Sequence, residues 1–380
     1  MNEFLIKEIS NADIEAEIID IGFDKTYANK AVNKFEYKNF KIFNLTPAQA
    51  NILKQTALSV GADCATHRDV ITGKIEQSNC ILGGSISQLN KISEKLKFQP
   101  FKLKNLGELI QSKINSPTKK TTQIMGILNL TTNSFSDGGK YYNYDDAINH
   151  LNTLILDGAD IIDIGAESTK PYSTPITPEQ QIEKIIPILK YIKENNITTP
   201  ISIDTRSSAV AEECIKNGAN IINDVSGLDY DTKMVDIIAK TGVKIIIQHS
   251  KGTPETMQNS PSYENLMDEI YSNLKNKVDF AISKGIPREN IIIDPGIGFG
   301  KTREQNFEIL KRWKELKTIG CEVLIGLSRK SLLNMPDSDN NEKDIYSLAL
   351  NSILMNDSID IIRVHNVKLH KKFQNIMIQN

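Results

Sequence analysis

Between Gln123 and Val364 the chain repeats one pattern, a short run of apolar, mostly branched residues that ends near a polar or charged side chain. The runs cover 123–129, 160–164, 201–204, 220–223, 243–248, 291–294, 323–326 and 360–364. Near-continuous apolar runs of this length suit strands buried on both faces, as in parallel sheets. Longer amphipathic stretches fit between most pairs, for example 178–193, 207–217, 263–284 and 304–316. Strands alternating with helices in this way form crossover units. Eight such strands in about 260 residues have the count and length of an α/β barrel of the (β/α)8, or TIM, type. An open doubly wound sheet is the rival architecture, but no Gly-x-Gly-x-x-Gly opens after the first run.

The strand exits are the second constraint. They read Asn129, Glu167 with Thr169, Asp204, Asn223 with Asp224, His249, Asp294, Ser328 with Arg329 and Lys330, and Arg363 with His365. In a barrel all exits meet on one face, which holds the active site. Helix capping accounts for single cases, and Asp224 and Ser328 suit that role. A polar residue at every exit exceeds what capping needs, and the strand starts carry no comparable set. The sharpest exit is Ile291-Ile292-Ile293-Asp294, followed by Pro295, Gly296, Gly298 and Gly300, a turn that lets backbone approach a ligand closely. Asp204, Asn223 and Asp294 suit a flat heterocycle with N–H donors. Arg363, His365 and Asn129 suit an anion with a bound metal, such as a pyrophosphate, and Lys330 serves either. His249, beside Gln248 and Ser250, reads as a hydrogen-bonded structural histidine. Lys301 reads as a surface lysine or one behind the site, and Trp313 as packing.

At these residues the chain resembles the dihydropteroate synthases, from about 123 to 370. The resemblance rests on motifs in one order: Met125-Gly126-Ile127-Leu128-Asn129-Leu130-Thr131 running on to Asn133-Ser134-Phe135-Ser136-Asp137-Gly138-Gly139; Asp163-Ile164-Gly165-Ala166-Glu167-Ser168-Thr169-Lys170-Pro171; Ser202-Ile203-Asp204-Thr205; Ile222-Asn223-Asp224-Val225-Ser226; the Asp294 loop; Gly326-Leu327-Ser328-Arg329-Lys330-Ser331; and Arg363-Val364-His365. It implies that p-aminobenzoate displaces pyrophosphate from 6-hydroxymethyl-7,8-dihydropterin diphosphate to give 7,8-dihydropteroate.

By that resemblance Asp294 binds the pterin N–H and amino edge, Asp204 and Asn223 complete the ring contacts, and Lys330 reaches the ring from another side. Lys330, Asp204 and Asp294 are the expected catalytic groups. Asn129 helps to hold Mg²⁺ and the diphosphate, Arg363 and His365 bind diphosphate oxygens, Thr169 lies near the reacting carbon, and Phe299 and Ser331 face p-aminobenzoate. The loops 131–144 and 168–177 are the expected lids, mobile without ligand. A homodimer and sulfonamide analogues as inhibitors are implied in the same way. The chain departs from the family pattern at Asn133 for Asp, Lys170 for Arg, Tyr172 for Gly, Ser250 for Met and Asn366 for Asp. The alternatives are a barrel that transfers methyl groups from methyltetrahydrofolate and a pterin-binding barrel without catalysis.

Charge and length complete the reading. Lys+Arg 45 against Asp+Glu 47 leaves a net −2, with no basic field for nucleic acid or an anionic membrane. No apolar run approaches a membrane span of about 18 residues. The N-terminus lacks a secretion-signal layout, and the four cysteines lack paired spacing. A reducing cytoplasm is the expectation. Residues 1–115 form a smaller α/β domain, 111–122 reads as a linker, and the barrel takes 122–380. In the first domain Thr46 and Pro47 open a helix, 80–84 is a strand, and Leu89, Ile92, Leu96 and Phe98 give a helical stripe. Cys64, His67 and Asp69 make a metal site conceivable, but a surface loop or domain contact fits better.

Overall fold

The computed structural model describes residues 5–9, 14–114, 121–130, 143–167, 176–251, 262–334 and 338–378. The chain divides into two compact units, Met1–Thr118 and Lys119–Asn380.

The first unit runs α1 (Ile14–Asp20), α2 (Lys25–Val32), β1 (Tyr37–Leu45), α3 (Pro47–Leu58), β2 (Asp63–Ala65), β3 (Ser78–Ser85), α4 (Ile86–Leu96) and α5 (Leu103–Ile114). Its sheet is antiparallel in the order β1-β3-β2. Thr46 caps α3 and exchanges bonds with Gln49 in a capping box, with Pro47 in the first turn. Leu89, Ile92 and Leu96 are buried on α4. Phe98 lies past the end of that helix and is 86% exposed, so it leaves the stripe. α5 reaches Ile114, with Ile110 and Ile114 buried, so 111–114 is helix and not linker. The three residues considered for a metal do not converge. Cys64 is buried beside Cys80, while His67 Nδ1 accepts the Asp69 N–H at 3.2 Å and caps a turn.

The second unit is a closed parallel barrel, in sequence order from β4 to β11 with β11 pairing back onto β4. Its strands are β4 (Gln123–Asn129), β5 (Ile161–Gly165), β6 (Ile201–Asp204), β7 (Ile221–Asp224), β8 (Lys244–Gln248), β9 (Ile291–Asp294), β10 (Glu322–Ile325) and β11 (Ile361–Val364). Between and after them come α6 (Tyr144–Leu156), α7 (Pro178–Glu194), α8 (Ser208–Lys216), α9 (Met234–Thr241), α10 (Leu266–Ser283), α11 (Arg303–Arg312), α12 (Asn340–Asn356) and α13 (Val367–Ile378). The helix expected over 304–316 is split, because a 3-10 turn, Trp313–Ile319, follows α11 and buries Trp313.

Side chains on a strand alternate between its faces. One apolar layer (Met125, Ile161, Ile221, Ile246, Ile292, Leu324 and Ile361) packs as a cluster of its own. Two residues further along, the same strand faces carry Asp163, Asn223, Gln248, Asp294 and Arg363. The barrel is thus sealed by hydrocarbon at one level and lined with polar groups at the next. The residues of opposite parity, such as Ile162, Ile164, Ile203, Ile293 and Ile362, belong to the larger core beneath the helices.

Strand starts prove less plain than expected. Asp160 accepts the Ile124 N–H (2.7 Å), Asp360 accepts the Val323 N–H (2.8 Å), and Asn220 Oδ1 accepts the Ile201 N–H (2.8 Å). These side chains satisfy backbone donors where the ladder begins, a structural duty required of buried N–H groups. Both clusters of barrel core residues fall wholly within the second unit. Residues 121–380 expressed alone should therefore give one cooperative melting transition; an insoluble or non-cooperative product would mean that the units share a core.

Candidate active site

Three charged side chains from three strands meet inside the barrel. Arg363 on β11 donates from Nε to Asp163 Oδ2 at 2.6 Å and from Nη2 to Asp204 Oδ2 at 2.9 Å. Asp163 Oδ2 also accepts the Asn223 amide at 3.2 Å. Asp163 is fully enclosed, and side-chain exposure of Arg363 and Asp204 is 18% and 12%. Burial works against the Arg363 charge, but the two carboxylates outweigh it and hold the guanidinium above its ordinary value. Asp204 is pushed up to about 7 by burial, with Asp163 and Glu167 adding repulsion and Arg363 opposing.

The loop after β9 supplies the second half. Asp294 is buried, and its Oδ1 accepts the Gly296 N–H at 2.7 Å. Burial raises its pKa against the pull of Lys330. Lys330, lowered to about 8 by burial, donates to the Ile297 carbonyl at 2.6 Å and lies 4.6 Å over the Phe299 ring. Lys301 lies behind the site, the second of its two sequence readings, and not on the surface. It is 3% exposed, and its Nζ contacts the Gly296 and Phe299 carbonyls at 3.0 and 2.9 Å and His249 Nδ1 at 3.0 Å. It ties the turn after β9 to the exit of β8, and burial lowers its pKa to about 7. His249 is the structural histidine expected, its charged form disfavoured by burial and by Lys301.

The glycines of this turn serve a different neighbour from the one expected. Gly296 has φ +70°, and a Cβ there would stand 2.0 Å from the His249 carbonyl oxygen. A Cβ on Gly298 (φ +82°) would meet Lys330 Cδ at 3.2 Å. The close approach is to protein backbone and to the Lys330 stem.

The anion-binding pair is partly engaged in the fold itself. His365 Nδ1 lies 3.0 Å from Ser328 Oγ, and burial, with Arg329 and Arg363 nearby, lowers its pKa to about 3. It therefore offers an N–H without a charge. Arg329, at φ +56°, makes a two-pronged pair with the buried Asp344 at 2.8 Å on each arm, so its guanidinium anchors α12. Asn366 donates to the same Asp344 at 3.3 Å. Asp224 proves to be a turn cap, accepting from Ser226 and Leu228. Asn129 is half-buried at the end of β4, and Ser331 is exposed where a short turn begins. Thr169, Asn133, Lys170, Tyr172 and most of both expected lids lie outside the described residues.

The residue that sequence reasoning missed is Asp163. Its signal was present, a carboxylate inside Ile161-Ile162-Asp163-Ile164 where both neighbours are core isoleucines. Glu167 was read as an exit, but its partners were not foreseen: Arg206 at 3.1 Å and Gln181 at 3.4 Å.

Residues 125–365, which hold this whole arrangement, match the family model described as pterin binding enzyme. Over 250 residues the chain is 42% identical to the dihydropteroate synthase of Clostridium beijerinckii, covering 65% of this chain and 89% of the relative. The chain belongs to the dihydropteroate synthase family. A solved dihydropteroate synthase from Anaplasma phagocytophilum, with bound 6-hydroxymethylpterin-monophosphate, superposes with a TM-score of 0.61 at 41% identity, covering 68% of this chain and all (100%) of that one. A probable bifunctional folylpolyglutamate synthase/dihydropteroate synthase of Haloferax volcanii is 31% identical over 376 residues, 93% of this chain, so that match extends into the first unit. The chain spans 44% of the length of that archaeal relative.

The two loop glycines should fail differently. Gly296→Ala meets rigid backbone at a left-handed φ and should cost about 2–4 kcal/mol of stability by chemical denaturation. Gly298→Ala meets a flexible lysine stem, so it should cost about 1 kcal/mol and act mainly on activity through Lys330. Equal stability losses in the two variants would contradict this account.

Proposed function

We propose that the barrel joins p-aminobenzoate to 6-hydroxymethyl-7,8-dihydropterin diphosphate, releasing pyrophosphate and forming 7,8-dihydropteroate. One observation carries the reading: enclosed acceptors at the ends of β6, β7 and β9, Asp204, Asn223 and Asp294, combined with cations at Lys330 and Arg363. A ring edge rich in N–H donors is what such acceptors select, and charge-assisted bonds of this kind contribute about 1.5–3 kcal/mol each. The pterin phosphate bound by the Anaplasma relative has that chemistry.

The roles follow from charge. As the C–O bond to the diphosphate lengthens, positive charge spreads into the pterin ring. Ionised Asp204 and Asp294 stabilise that charge more in the transition state than in the ground state. Lys330 holds the ring from another side, and the Phe299 ring beneath it offers a flat apolar wall for p-aminobenzoate next to Ser331. Arg363, freed in part from Asp163 and Asp204, and the uncharged N–H of His365 contact diphosphate oxygens. Water must be kept from such a cation.

A metal fits beside this set. A Cβ at Gly165 would touch Asp204, 3.4 Å from its Cβ and 3.7 Å from its Oδ2, and would lie 3.8 Å from Asn129 Oδ1, so both oxygen donors come close to this glycine. Mg²⁺ commonly takes one or two protein oxygens together with phosphate oxygens and water. Asn129 would hold it, and its charge would neutralise the leaving diphosphate. Asn129→Ala should therefore raise the Mg²⁺ concentration needed for half-maximal rate several-fold; an unchanged Mg²⁺ curve would remove Asn129 from this role.

Dihydropteroate and pyrophosphate formation by purified protein tests the reading directly, and it separates this reaction from methyl transfer, which releases no pyrophosphate. Asp294→Asn and Lys330→Met should each lower kcat/KM by about 10²-fold or more. The pH profile follows from the shifts. Asp204 gains its proton as pH falls through about 7, and Lys330 loses its charge as pH rises through about 8. The profile of kcat/KM should thus be a narrow bell between those limbs. A flat profile from pH 6 to 9 would show that neither group is needed in its ionised form.

A further inference from the structure

Asp163 has no place in the reaction just described, yet it is the most enclosed charge in the site. An asparagine amide can sit either way round, and its partners decide which. Asp163 Oδ2 can only accept, so the Asn223 atom facing it at 3.2 Å is the N–H₂. The other amide atom, Asn223 Oδ1, is buried and has no partner among the described residues. A buried acceptor without a donor is costly, so this oxygen is poised for an N–H brought by a ligand. The same carboxylate oxygen takes Arg363 Nε at 2.6 Å, which directs Nη2 to Asp204.

We propose that Asp163 is a positioning residue that sets the hydrogen-bond polarity of the ring pocket, locking Asn223 as an acceptor and holding Arg363 across Asp204. The inference rests on the pterin reading above and deepens it. It makes the pocket selective for a ring edge of donors and hostile to one bearing a carbonyl in their place. A pocket built on unpaired buried polar groups discriminates strongly in this way.

The test compares binding of 6-hydroxymethylpterin and 6-hydroxymethyllumazine, which carries an oxygen in place of the 2-amino group, by calorimetry. The unsubstituted chain should prefer the pterin by at least about tenfold. Asp163→Asn keeps the shape but frees the Asn223 amide to turn, and should narrow that preference at least threefold. A role confined to stability would not change the ratio.

Asn223→Asp covers the case in which the first variant fails to fold. It keeps an acceptor for the ligand but offers Asp163 no N–H. Pterin affinity should then fall at least tenfold, whereas equal or tighter binding overturns the proposal. A folded Asp163→Asn protein with unchanged preference overturns it too. An unsubstituted chain that binds neither pteridine overturns the pterin reading along with it; one that binds both equally well overturns this inference alone.

Discussion

The site depends on a guanidinium held between two carboxylates inside a closed barrel. Arg363, Asp163 and Asp204 come from β11, β5 and β6, and Asn223 adds β7. Burying such charges costs several kcal/mol per ion before pairing, and replacement by hydrocarbon would commonly leave a protein as stable or more so. Their retention is therefore better explained by the site than by the fold. The network keeps Asp204 largely enclosed at a raised pKa, with an arginine as its partner.

A second set of contacts ties the strand exits to one another. Lys301 joins the turn after β9 to the exit of β8 through two carbonyls and a histidine nitrogen. Lys330 reaches across to the Ile297 carbonyl, which links the loop after β10 to that same turn. Arg329 and Asp344 anchor the loop after β10 to α12. The polar groups at the strand exits are thus supported by side chains behind them, and preorganised donors and acceptors need not reorganise when charge develops in a site.

Much of this was legible in the residues themselves. Buried parallel strands read as apolar runs, so their number and spacing gave the barrel, and an acid such as Asp294 at the end of three isoleucines had no packing reason to be there. Other features could not be read in this way. Lys301 looks like any lysine before a helix, and only the fold of the glycine turn encloses it. Asp163 sits within an apolar run, where a single charge resembles a strand-start residue such as Asp160. β1 of the first unit, Tyr-Lys-Asn-Phe-Lys-Ile-Phe-Asn-Leu, is a strand whose lysines and asparagines, at 38, 39, 41 and 44, follow no strict alternation and break any apolar run, which gives no strand signal.

Local chemistry therefore determined the elements. Strand length, capping by Thr46, and the position of each polar exit are set by residues close in sequence, because side-chain periodicity and backbone satisfaction act over a few residues. Tertiary structure decided which charges meet. Asp163 and Arg363 lie 200 positions apart, and their pairing exists only because the barrel closes β11 onto β4, one strand away from β5. The same closure determines which carboxylates lose water, and with it which of them hold a proton near neutrality.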